Sequence, residues 1–148
     1  MIILNNGNFG NIELFEYNGV DYTRKIIEDK LNIHNSAIAV GDIDLDGNNE
    51  IIALTLPENT LLMYDYNDDI WEREILMDNL FTDENKNAIY YLSVINMGNS
   101  YGGLLIAIGG TINPTDFYYL EHTGVWNKKH IGTTHNPSTI WGIFPAKG

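Results

Sequence analysis

Three stretches of this chain are versions of one another, and that repetition limits the fold more than any other feature does. "IELFEYNGVDYTRKII" begins at Ile12, "LLMYDYNDDIWEREIL" at Leu61 and "FYYLEHTGVWNKKHI" at Phe117. Each reads as an alternating aromatic strand, a short polar turn and a second strand, with landmarks at Tyr22, Trp71 and Trp126. Apolar strands precede them at matching offsets: "MIIL" from Met1, "EIIALTL" from Glu50 and "LLIAIGG" from Leu104. Three more follow: "SAIAVGD" from Ser36, "AIYYLSVIN" from Ala88 and "STIWGIF" from Ser138. The period is about 50 residues and contains four strands.

Side chains alternate with period two, Ile12, Leu14 and Glu16 falling on one face and Glu13, Phe15 and Tyr17 on the other. The signals "YNG", "YND" and "HTG" sit between paired strands, as hairpins require. "TRKIIEDKLNI" comes closest to a helical period, but its repeat-mates "EREILMDNL" and "NKKHIGTTH" point to a strand running into a loop. Strands are therefore expected over about 36–42, 50–56, 60–66 and 70–76, then 88–95, 103–109, 116–121 and 125–131, with essentially no helix.

Tandem four-stranded units of this length are what β-propeller blades look like, and the fold class predicted is all-β. A β-sandwich of short strands is the alternative. The 148 residues form a single propeller segment, with blades over 33–80 and 86–133 and a third split between 1–30 and 136–148. Three blades are too few to close a ring. The reading therefore expects either part of a longer propeller chain or a homodimer making six blades, in which the 138–144 strand of one copy pairs beside "MIIL" of the other.

Composition narrows the partners. An apolar content of 44% suffices for a core, while a net charge of −12 with eight Lys and Arg repels phosphate backbones and anionic membrane surfaces. Nucleic acid is not expected, and a cation is. Zero cysteines exclude disulfides and thiolate metal sites. No apolar run approaches a membrane span, and "MIILNNGNFG" lacks the basic and apolar regions of a signal peptide.

The cation has an obvious candidate seat in "VGDIDLDGNNEIIAL", residues 40–54. Counting from Asp42, carboxylates fall at loop positions 1, 3, 5 and 9, Gly47 is at 6 and Asn48 at 7. In a tight loop, side chains at 1, 3 and 5 converge, glycine makes the sharp turn and the carbonyl at 7 faces inward. Asp42, Asp44, Asp46 and Glu50 by side chain, with Asn48 by backbone carbonyl, are the expected ligands. Hard oxygen donors alone favour Ca²⁺ over transition metals, and several carboxylates favour it over Mg²⁺. An EF-hand is excluded, because position 12 is Ala53 instead of a bidentate glutamate and the flanks read as strands.

Loop and strands together resemble the FG-GAP or VCBS repeats of integrin-α-like and bacterial β-propellers, whose signature is D-x-D-x-D-G-x-x-D between the first two strands of a blade. "DIDLDGNNE" matches except at the last position, where Glu50 replaces the aspartate. The equivalent loops "INMGNSYGG" and "IFPAKG" lack the carboxylates. The resemblance implies one structural calcium ion per chain, stapling a hairpin, and an extracellular or cell-surface setting.

Two histidines recur at one repeat position, His34 in "IHNSAIAVGD" and His135 in "THNPSTIWGI", just before the strand that would line a propeller's axis. Capping a strand start through a backbone hydrogen bond is one role for them; contact with a ligand is the other. Some carbohydrate-processing propellers, such as rhamnogalacturonan lyases and sugar dehydratases, are similar in combining calcium repeats with histidines there. Trp141 lies on the innermost strand, where a sugar ring can stack on it. His122 and His130 are expected to be solvated, and the other aromatics, Tyr17, Tyr64, Tyr66, Tyr118, Tyr119, Trp71 and Trp126, to pack between blades. No nucleophile elbow or phosphate loop is present. The function expected is a non-catalytic, calcium-stabilised binding or adhesion module for a protein or carbohydrate ligand. The alternative is a segment of a propeller carbohydrate-active enzyme using His34 and His135.

Overall fold

A computed structural model describes residues 2–6, 11–29, 37–55, 60–80, 89–96, 102–109, 114–122 and 125–137. Strands β1 (Ile2–Asn6), β2 (Asn11–Tyr17) and β3 (Tyr22–Glu28) form a first sheet. A second consists of β4 (Ala37–Gly41), β5 (Glu50–Thr55), β6 (Thr60–Asn67) and β7 (Ile70–Met77). The third is made of β8 (Ile89–Asn96), β9 (Gly102–Gly109), β10 (Pro114–His122) and β11 (Trp126–Pro137). Every sheet is an antiparallel meander with its strands in chain order, and no helix occurs among the described residues.

The strands of both complete repeats start and stop within two residues of their expected limits, with one exception. β11 continues to Pro137 instead of ending near 131, because β10 begins early, at Pro114, and pairs with the extra length through register shifts at Pro114/Asp116 and Phe117/Tyr118. His135 accordingly lies on an outer strand and not in a loop before an inner one. His34, Trp141 and the expected 138–144 strand lie outside the described residues.

Turn chemistry explains the hairpins. β6 and β7 join through the two residues Asp68 and Asp69, at φ 48 and 68, which is the left-handed pair that matches strand twist in a tight hairpin. Between β2 and β3, the Asn18 side-chain oxygen accepts the Val20 and Asp21 N–H groups at 3.0 and 2.9 Å, and Gly19 takes φ 98.

Within the second sheet β5 is buried on both faces, so it reads as a continuous apolar run after Glu50 and not as an alternating one. Ile51, Ala53, Leu62 and Tyr64 pack with Ile12 of the first sheet, while Ile52, Leu54, Leu61 and Met63 pack with Leu120 of the third. Two clusters thus hold three sheets face to face, and burying each isoleucine, leucine or methionine among them contributes about 1.5–3 kcal/mol. Glu28 adds a polar tie between the first two sheets, accepting from the Tyr64 hydroxyl and the Arg73 guanidinium at 3.4 Å each. β7 lies at an edge and carries Glu72, Arg73 and Glu74 to solvent, a charged rim that discourages pairing with other chains.

The lead strands β4 and β8 share the most extensive contact of any strand pair drawn from different sheets among the described residues. Ala37 and Ala39 on β4 face the third sheet, and a Cβ added at Gly41 would stand 2.8 Å from Val94 Cβ. Small side chains let the two backbones converge at this edge. No helix among the described residues is long and apolar enough to cross a membrane, which leaves membrane crossing by strands unaddressed.

Candidate metal centre

The loop from Asp42 to Asn49 bridges β4 and β5, whose pairing brings Gly41 opposite Glu50 at its base. Ile43 is fully buried in the cluster shared with the third sheet, which pins the loop down between Asp42 and Asp44. Its N–H donates to Glu50 Oε2 at 2.8 Å, tying the loop's second residue to its last ligand position.

Two left-handed residues turn the chain back, Leu45 at φ 65 and Gly47 at φ 98. Local hydrogen bonds fix each aspartate: Gly47 N–H donates to Asp42 Oδ2 at 3.2 Å, Asp46 N–H to Asp44 Oδ1 at 3.1 Å, and Asn48 N–H to Asp46 Oδ1 at 2.7 Å. The outcome is a concave loop in which carboxylate oxygens of Asp42, Asp44 and Glu50 lie within 4.8 Å of one another, a group able to hold a metal ion. Asp46 does not join that group. Both its oxygens are engaged by Asn48, the second by the side-chain amide at 2.9 Å.

Electrostatically the cluster is unsatisfied. Asp42 Oδ1 and Glu50 Oε1 are buried and have no hydrogen-bond partner. Leaving a buried carboxylate oxygen unpaired costs several kcal/mol unless a proton or a cation meets it. Burial pushes the Glu50 carboxyl up to about 7 against the pull of the Ile43 N–H bond, and the charges of Asp44, Asp46 and Asp42 raise it further. The donor set is all oxygen, and two of the three buried, unpartnered side-chain oxygens among the described residues belong to the cluster, the third being Asp65 Oδ1 on β6. On both counts the residues fit a hard divalent cation.

The aromatic residues divide. Tyr64 is buried, and Trp71, Tyr118 and Trp126 pack against the core clusters, whereas Tyr17 and Tyr66 are exposed. His130 is not merely solvated: its Nε2 lies 3.1 Å from Asp116 Oδ1 and 3.0 Å from Thr133 Oγ1, and its ring packs edge-on to Tyr118. Ile43 is the site residue that motif spacing does not single out. Its signal is an apolar residue between two carboxylates, which Leu45 shares; only Ile43 of the two is fully buried.

No protein-family model, no curated protein and no solved structure matches this chain.

Proposed function

We propose that the chain is a calcium-stabilised, non-catalytic binding module built from β-propeller blades of the FG-GAP/VCBS type. The observation carrying the metal half is the pair of buried, unpartnered oxygens, Asp42 Oδ1 and Glu50 Oε1, in one cluster with Asp44. Calcium is favoured over other cations by hard oxygen donors in a loop that tolerates a large and irregular coordination shell. Glu50 reaches where an aspartate usually serves because β5 begins at that residue and its side chain turns under the loop to meet Ile43 N–H.

The propeller half is supported by two four-stranded meanders and one three-stranded meander, each in chain order and packed face to face, with the lead strands β4 and β8 drawn together. Three such sheets leave a ring open, so this reading carries with it further sheets, from a second copy or from more of the same chain. The ion's role is structural. It neutralises repulsion among three carboxylates and joins the β4 end of the loop to the β5 end, which stabilises the native state by about 2.7 kcal/mol at a hundredfold excess over Kd.

Isothermal titration of metal-free protein with Ca²⁺, Mg²⁺ and Zn²⁺ tests the proposal. One Ca²⁺ per chain, tighter than Mg²⁺ and lost in Glu50→Gln, is the expected result. Binding that survives Glu50→Gln unchanged, or a preference for Zn²⁺, contradicts it.

A further inference from the structure

A cleft of about 280 Å³ opens between the first and second sheets, at the same end of the molecule as the acidic loop. Its apolar lining consists of Leu14 and of the Trp71 and Tyr66 rings, which stand 5.0 Å apart, tilted by 46°, and form an aromatic corner. The rest of the lining is polar, with Glu16 and Lys25 from the first sheet, Asn48 and Asn49 from the loop and Asp69 from the β6–β7 turn.

The chemistry of these walls selects a ligand class. An anion is opposed by Glu16 and Asp69 and by the net charge of −12. A cation finds its place taken, since Lys25 Nζ already sits 2.7 Å from Glu16 Oε2, and Asp69 Oδ1 already accepts from the Tyr66 hydroxyl at 3.3 Å. A wholly apolar ligand would strip water from two amides and an ion pair without replacing those hydrogen bonds. What remains is a neutral polyol with one apolar face. Its C–H face would lie on the aromatic corner and its hydroxyls would meet the amides and the Glu16–Lys25 pair.

We propose that this inter-sheet cleft, with Trp71 and Tyr66 as platform and Asn49 as hydrogen-bonding partner, binds a single neutral pyranose unit, as at the end of a glycan. The site differs from the axial one suggested by His34, His135 and Trp141. It deepens the binding-module reading by naming the ligand, and it rests on that reading only in taking one wall from the metal loop.

The test uses calcium-loaded protein and the methyl glycosides of glucose, galactose, mannose, fucose and N-acetylglucosamine, with glucuronic acid as the anionic comparison. Ligand-observed NMR saturation transfer and indole fluorescence are the readouts. At least one neutral glycoside is expected to bind at millimolar concentration and glucuronic acid more weakly, and both Tyr66→Ala and Asn49→Ala are expected to weaken that glycoside about tenfold. A calcium-induced rise in melting temperature retained by both variants shows that fold and loop are intact. No binding by any neutral glycoside, or binding indifferent to both variants, overturns the proposal. Because the calcium response is measured in the same samples, loss of sugar binding alone is distinguishable from loss of the metal site.

Discussion

Glu50 carries two demands at once: it is the first residue of a fully buried strand and a carboxylate facing two others. In metal-free protein its folded-state value of about 7 stands above the ordinary 4.5, so folding takes up a proton between those pH values. Glu50's contribution to stability is intact below about pH 4.5 and declines as pH rises towards 7, by on the order of 3 kcal/mol over that window. Denaturant unfolding of metal-free protein should show this decline, and Glu50→Gln should flatten it. A wild-type stability that rises steadily from pH 5 to 8 would be the contrary result. Metal binding displaces the same proton, so affinity should increase with pH up to about 7. Spacing in the sequence makes Asp42, Asp44, Asp46 and Glu50 equivalent candidates. It cannot show that Asn48 occupies both Asp46 oxygens while an Asp42 and a Glu50 oxygen go unpartnered, because that depends on which backbone N–H groups the turn aims inward.

Strand positions were legible because turn residues punctuate them, as Asp68 and Asp69 do between β6 and β7. The far end of β11 was not. "GTTHNP" has no apolar alternation, and its pairing is imposed by β10 through register shifts that leave no mark in β11 itself. A second feature hidden at this scale is the size requirement on β4. Gly41 has an ordinary backbone conformation, yet a methyl group there would meet both Val94 Cβ and Val94 Cγ1 at 2.8 Å. Gly41→Ala should therefore destabilise by about 1–3 kcal/mol, through steric overlap between lead strands and not through the metal. Unfolding in calcium and in chelator should show the same loss, and pairing it with Val94→Ala should recover part of it. No loss in either condition would mean that the lead strands do not converge.

For the molecule as a whole, the acidic loop joins pieces that would otherwise be held only by packing. Ile43 anchors it in the core between the second and third sheets, Asn48 and Asn49 border the cleft against the first, and Glu50 continues into the strand buried on both faces. The tandem repeat made the all-β class and the strand order readable, whereas the enclosure of β5 between the flanking sheets emerges only from the packing of three sheets. A cation seated in the loop should accordingly raise the stability of the whole unit and not only order a turn. Thermal unfolding of wild type and Asp44→Ala, each in excess calcium and in chelator, measures this most directly. Wild type should melt about 5–10 °C higher in calcium at a hundredfold excess over Kd, and Asp44→Ala should lose that rise while matching wild type in chelator. A wild-type melting temperature indifferent to calcium, or an Asp44→Ala loss of equal size in both conditions, would contradict the metal-stapled account.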